Sequence, residues 1–179
     1  EASLDESSPA RIFERVNEAI VKSVPEHDYA TCFMLAAAPD GLLTYCSAAH
    51  PGCYLLPGTG EPPVNLHTKN IMLGMFSEED RPPGAKAPHL FHEKQTRLHT
   101  GDRLLMFTDG ITEARNDAAG EYGTERLLAA LETSRELDIE QALEYILADW
   151  RDFRGESAAD DDSTLLLIDW EPAKVPGSA

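Results

Sequence analysis

The sequence predicts an α+β domain built on a mostly antiparallel sheet. Three observations carry that prediction. The apolar runs are short and separated by tight-turn signals such as Pro39-Asp40-Gly41 and His50-Pro51-Gly52. Helical periodicity opens the chain and returns only late, in two neighbouring segments. The order is helix, hairpin strands, strand, two helices, strand, which lacks the regular strand–helix alternation of a doubly wound fold.

Each element has a local reason. Glu1 to Ser7 is polar and reads as a disordered leader, residues 1–7. Ser8 followed by Pro9 reads as a helix N-cap and first turn. Ile12, Phe13, Val16, Ile20 and Val24 then recur at helical spacing, and Pro25 stops them. Tyr29 to Ala38 reads as a buried strand, and the Pro39-Asp40-Gly41 turn makes a hairpin with Leu42 to Ala49. Cys53 to Leu56 is a third short strand, and Pro57 to Pro63 a loop. Phe76 to Pro88, rich in Pro, Gly and charge, reads as an exposed loop.

Arg103 to Thr108 is an apolar strand that Asp109-Gly110 ends. Asn116 to Gly123 is a polar loop. Thr124 can cap a helix carrying Leu127, Leu128 and Leu131. A second helix runs from about Ile139 to Asp152, with Ala142, Leu143, Ile146, Leu147 and Trp150 on its apolar face. Arg154 to Asp162 is a charged loop, and Thr164 to Trp170 is the last strand. Residues 172–179 read as a flexible tail.

Composition narrows the functions. The 179 residues, 42% hydrophobic and 26% charged, suit one globular domain. Acidic residues outnumber basic ones by 32 to 15, a net charge of −17. Nucleic acid is therefore not expected as a partner, because neutralising phosphates needs Lys and Arg. An anionic membrane surface is disfavoured for the same reason. The longest near-apolar run, Tyr29 to Ala38, is too short to span a bilayer. Three cysteines, an odd number, and the lack of an Asn-x-Ser/Thr sequon lead to the expectation of a reducing, cytoplasmic setting.

Phosphate-binding glycine loops, nucleophile elbows and His-Glu-x-x-His are absent. Two acidic features remain. Thr108-Asp109-Gly110 puts a carboxylate where an apolar strand ends, and Asp160-Asp161-Asp162-Ser163-Thr164 puts a carboxylate cluster just before another. A carboxylate at the mouth of a buried strand is costly to desolvate unless donors or a cation meet it, and Gly110 lets the backbone turn there. Were the two strands neighbours, Asp109 and a member of the triple Asp would converge as hard oxygen ligands suited to Mg²⁺ or Mn²⁺. Spacing alone favours the plainer reading, in which Asp109 starts a turn and the Asp run is a solvated loop.

Cys46, His50 and Cys53 are zinc-ligand types, but without an evident fourth ligand they read as core packing and turn chemistry. Cys32 reads as a core thiol. His67, His89, His92 and His99 read as surface residues, Arg103 as exposed or ion-paired rather than phosphate-facing, and Trp150 as core.

The run Gly101-Asp102-Arg103-Leu104-Leu105-Met106-Phe107-Thr108-Asp109-Gly110-Ile111-Thr112-Glu113-Ala114-Arg115-Asn116 closely resembles the signature of the bacterial SpoIIE/RsbU-like branch of the metal-dependent, PPM-type serine/threonine phosphatases. Gly120 to Gly123, Glu125-Arg126-Leu127, the closing Asp161-Asp162-Ser163-Thr164, the Ala48-Ala49-His50-Pro51 turn and the Tyr29 to Phe33 strand fit the same pattern. The resemblance covers residues 8–171. It implies two stacked antiparallel sheets flanked by helices. It implies two Mn²⁺ or Mg²⁺ ions that activate a water to attack a phosphoserine or phosphothreonine directly. It also implies a substrate of the anti-sigma-factor antagonist type, in bacterial partner-switching signalling under an upstream sensor domain. By position, Asp109 and Asp161 resemble the metal-ligating carboxylates, with Asp162 as fallback. Gly110 resembles the supporting turn, Thr164 would support the second loop, and no catalytic residue is implied beyond the metal ligands.

Two departures qualify the resemblance. The family's N-terminal strands, which bear further metal carboxylates, have no counterpart before Ser8. The expectation is an N-terminally truncated domain that carries a half site, holds one ion or none, and is inactive by itself although its longer parent is an enzyme. The alternative is a non-catalytic, phosphatase-like protein-binding module. Absent strands would leave a sheet edge open, so a homodimer is expected. Second, Ala49 stands where the family has Gly; if φ is positive there, Ala costs on the order of 1 kcal/mol.

Overall fold

A computed structural model describes residues 8–23, 28–76, 90–116, 118–155 and 161–171. The expected leader, the tail, the end of the first helix at Val24 and Pro25, His89, Asp160 and nearly all of the loop from Phe76 to Pro88 lie outside these residues. The described residues form four helices and nine strands. They divide into two units, and both draw on separate stretches of chain: residues 1–50 with 67–98, and residues 51–66 with 99–179. The several antiparallel sheets and four helices make this a mixed α and β fold, as expected.

The first unit holds helix α1 (Pro9–Ser23) and strands β1 (Cys32–Ala37), β2 (Leu42–Ala48) and β5 (Lys94–Arg97). Ser8 caps α1 as predicted: its hydroxyl accepts the Arg11 N–H at 3.4 Å and donates to Glu93 Oε2 at 2.6 Å. The sheet order is β1-β2-β5, antiparallel throughout. The hairpin turns where Pro39-Asp40-Gly41 predicts, with Gly41 at φ 84°. Phe13 of α1 buries its ring against Phe91, centroids 5.7 Å apart and edge to face, beside Cys46, Ala48 and Leu73. Asn17 is fully buried and anchors a passing segment: its amide donates to the Phe76 carbonyl and accepts the Gly74 N–H, each at 2.8 Å.

The second unit holds β3 (Cys53–Leu56), β4 (Val64–Leu66), β6 (Arg103–Phe107), α2 (Asp109–Thr112), β7 (Arg115–Asn116), β8 (Gly120–Glu121), α3 (Gly123–Thr133), α4 (Ile139–Arg154) and β9 (Leu165–Asp169). Its sheet runs β4-β3-β6-β9, again antiparallel. Leu105 and Phe107 of β6 and Leu167 of β9 join Leu127 and Leu131 of α3 and Ala142, Ile146 and Trp150 of α4 in one apolar core. The Trp150 indole N–H donates to the Ile111 carbonyl at 2.9 Å, so the expected core tryptophan also ties α4 to α2.

Several local readings change. β4 and β5 are strands that the sequence does not announce, and the predicted polar loop contains the small β7–β8 hairpin. Thr124 does not cap α3: the helix begins one residue earlier, at Gly123 with φ 78°, and no side chain caps it. A glycine turn sets that start. α4 is capped instead by Asp138, whose carboxylate accepts the Gln141 N–H at 2.8 Å.

Candidate metal centre

The sheet of the second unit brings the two acidic features together. β6 and β9 pair in register from Arg103↔Asp169 to Phe107↔Leu165. Beyond that last pair the two chains part into the loops that carry Asp109 and Asp161-Asp162. Thr108 manages the parting. It is extended, with φ −90° and ψ 159°, and its N–H donates to the Thr164 carbonyl at 3.1 Å, which continues the ladder. Its own carbonyl turns to accept the Ile111 N–H at 3.1 Å, the first turn of α2. The Thr108 hydroxyl takes the carbonyl's place in the ladder, accepting the Thr164 N–H at 2.9 Å and donating to the Asp162 carbonyl at 3.1 Å.

A second stitch lies beside it. The Ser163 hydroxyl donates to the Gly110 carbonyl at 3.0 Å. Gly110 is buried, and a Cβ on it would lie 2.6 Å from the Asp162 carbonyl oxygen. Among described residues Gly110 is not one of the glycines with positive φ. It is needed for close approach of two backbones, and the sharp turn that its sequence context suggests is not its role.

Asp109, Asp161 and Asp162 are all exposed. One oxygen of Asp109 accepts the Gly110 N–H at 3.1 Å, and one of Asp161 accepts the Asp162 N–H at 2.7 Å. Among the described residues no Lys, Arg or His forms an ion pair with any of the three. Thr164 serves through its backbone, giving its N–H and its carbonyl to Thr108, while its side chain is exposed. Hard oxygens from two stitched loops suit Mn²⁺ or Mg²⁺ in chemistry. Yet among the described residues no three His, Cys, Asp or Glu side chains gather closely enough to hold a metal. The donor set fits one side of an ion.

The other polar candidates belong to the scaffold. Arg103 is buried, and its guanidinium meets Asp169 at 2.6 and 2.9 Å and the Ser134 and Leu137 carbonyls at 3.2 and 2.9 Å. It is the ion-paired residue of the sequence reading, with no donor turned to a phosphate. Burial pushes the thiols of Cys46 and Cys53 up to about 12. Both side chains are buried in the core, as the sequence reading expects. Cys46 donates to the His92 carbonyl at 3.4 Å and accepts from Asn70 at 3.3 Å. His67, His92 and His99 are exposed, as expected.

Sequence reasoning singles out the three carboxylates as candidates and is silent on the hydroxyls of Thr108 and Ser163 that stitch their loops. The available signal is a hydroxyl residue beside each acidic turn, Thr108 before Asp109 and Ser163 after Asp162.

The architecture has known counterparts. The SiaA PP2C domain of Pseudomonas aeruginosa superposes with a TM-score of 0.75 at 17% identity, over 92% of this chain and 61% of that one. The RsbU and RsbW domains of Rv1364c from Mycobacterium tuberculosis give 0.68 at 21% identity, over 90% of this chain and 42% of that one. The manganese-presoaked phosphatase domain of SpoIIE from Bacillus subtilis gives 0.58 at 16% identity, over 94% and 67%. The fold is that of PP2C-type phosphatase domains, and the chain spans about 61% and 42% of the first two. No curated protein matches it. The sequence matches the family described as Stage II sporulation protein E (SpoIIE) over residues 1–171. The chain belongs to that family, the PPM-type SpoIIE/RsbU-like phosphatases.

Proposed function

We propose that this chain is the metal-dependent serine/threonine phosphatase domain of a bacterial partner-switching regulator, acting on a phosphorylated regulatory protein of the anti-sigma-factor antagonist type. The observation that supports this reading best is the stitched pair of loops at the end of β6 and β9, one carrying Asp109 and the other Asp161 and Asp162. These carboxylates would hold Mn²⁺ or Mg²⁺, with Gly110 and Thr164 as support. A divalent ion bound there would lower the pKa of a water and offset charge on a phosphoryl group. Asp109 with Asp161, or Asp162 in its place, would hold one side of it, and none of the three forms an ion pair with a described residue. A phosphoprotein is itself anionic, and the chain carries −17, so the reading needs a local cation where the phosphate approaches.

An upstream sensor domain, a cytoplasmic setting and a homodimer complete the proposal, with no nucleic acid or membrane contact by this domain. Among the described residues no helix is long and apolar enough to cross a membrane.

The second reading is a non-catalytic, phosphatase-like module that holds a signalling partner. What favours it is the lack of a third ligand among the described residues. One experiment separates the two. The longer parent protein is assayed on a phosphoserine-bearing regulatory protein with and without Mn²⁺, beside Asp109→Asn. Ion-dependent release of phosphate, reduced at least a hundredfold in the variant, supports the enzyme. Normal turnover by Asp109→Asn removes the assignment, and specific binding without turnover selects the module.

A further inference from the structure

We infer that Thr108 is a positioning residue for the candidate metal centre, and that its hydroxyl sets the distance between the two carboxylate loops. The inference rests on the metal-centre reading above. At a strand end a backbone carbonyl can serve the sheet or start a helix, but its geometry rarely serves both. Here the Thr108 carbonyl accepts from Ile111, which opens α2 and puts Asp109 at the first helical position. The β9 side of the ladder would then lose its acceptor. The Thr108 hydroxyl supplies it, accepting the Thr164 N–H at 2.9 Å. Its single proton is committed to the Asp162 carbonyl at 3.1 Å.

One side chain therefore holds both ends of the segment 162–164 while its own backbone launches Asp109. Ser163 closes the arrangement from the other strand through the Gly110 carbonyl, and the absence of a side chain on Gly110 lets the two backbones meet. Both hydroxyls act on carboxylate-bearing loops, and neither needs to touch an ion. Groups that orient metal ligands in this way typically alter affinity 10- to 100-fold when removed.

The chemistry fixes the variants. Thr108→Val keeps the β-branched shape that an extended strand end accepts, and removes both hydrogen bonds. Thr108→Ser keeps the hydroxyl and drops only a methyl. Ser163→Ala removes the Gly110 stitch, together with a longer contact to the Asp161 carbonyl at 3.4 Å within its own loop, and supplies a second variant should Thr108→Val fold poorly. Each protein, with wild type and Asp109→Asn, is titrated with Mn²⁺ and followed by the electron-spin resonance of the free ion. Backbone amide exchange is read in parallel without metal.

The expected result is a Kd for Mn²⁺ raised roughly tenfold or more in Thr108→Val, a smaller rise in Ser163→Ala, and near wild-type binding in Thr108→Ser. Amide exchange should quicken at Thr164 in Thr108→Val and stay slow in Thr108→Ser. Wild-type Mn²⁺ affinity in both Thr108→Val and Ser163→Ala, with binding lost in Asp109→Asn, overturns the positioning role and leaves the metal centre standing. Equal titrations for wild type and Asp109→Asn overturn the metal centre, and the role of Thr108 towards it falls with it.

Discussion

Ala49 has φ at 52°, the one non-glycine residue in the left-handed region among those described. The sequence reading makes this position a test, because the family pattern has Gly there. An L-residue in that conformation costs roughly 1–2 kcal/mol. Gly regains that strain but gives back part of it through the freer unfolded chain. Ala49→Gly should therefore stabilise the protein by about 0.5–1 kcal/mol. A higher denaturant midpoint with an unchanged slope is the expected reading, and an unchanged or lower midpoint contradicts it. Ala49 is exposed, so the methyl itself leaves no cavity. At this scale the sequence was informative wherever chemistry and local order coincide: Asp109 ends an apolar strand, Asp161 and Asp162 precede one, Ser8 caps a helix. It was silent on Thr108, whose role depends on a partner 56 residues away and on a register that no local pattern encodes.

Elements were legible in proportion to their apolar periodicity. β3 and β6 fill the centre of their sheet and carry the runs Cys53 to Leu56 and Arg103 to Phe107, so their burial is written in the residues. β5 is the opposite case. Lys94-Gln95-Thr96-Arg97 is polar throughout and is a strand because β2 offers it an open edge. Two of the three residues of β4 are exposed, and α2 is a single turn, too short for a period to form. The packing of α3 on α4 yields a pH prediction. Arg126 meets Asp149 at 3.1 and 3.2 Å, the Tyr122 hydroxyl donates to the same carboxylate at 2.7 Å, and the guanidinium lies over the Phe153 ring at 4.8 Å. The Arg126 hydrogen bond, with help from Tyr122 and against partial burial, holds the Asp149 carboxyl below its usual range. A lowered folded pKa favours the folded state above the unfolded carboxylate pKa, and that support is lost as pH falls through the folded value. Both partners are substantially exposed, so the pair is worth about 0.5–1 kcal/mol at neutral pH. Asp149→Asn should lose that much at pH 7, and its stability curve should rejoin the wild type in the acid range below about pH 4. A constant gap down to pH 3 would contradict the linkage.

For the whole molecule, the acidic balance of 32 carboxylates against 15 basic groups bears on association. Net charge of that size opposes self-association through long-range repulsion. An unpaired strand edge favours it. Among the described residues β1 pairs with β2 alone, and its last two residues, Ala36 and Ala37, are exposed without charge. Dimerisation through such an edge should therefore strengthen as salt screens the repulsion. Light scattering at rising ionic strength should report a mass moving from monomer towards dimer, and a monomer at high protein and salt concentration would contradict it. The family assignment drew on residues spread along nearly the whole chain, because the acidic turns that mark it lie in sequence beside the strands that present them.

The interleaving of the two units also bears on how the protein is made. Tyr45 of β2 finds its edge partner in Lys94 of β5, about 50 residues further on, and the second unit is begun at Pro51 in between. A ribosome adding some 5–20 residues per second leaves that edge bare for roughly 3–10 s. The second unit is started before the first is finished, so the nascent chain carries two half-built sheets at once until β5 emerges at Lys94–Arg97 to complete the first, and the second sheet then waits for β9 at Leu165–Asp169.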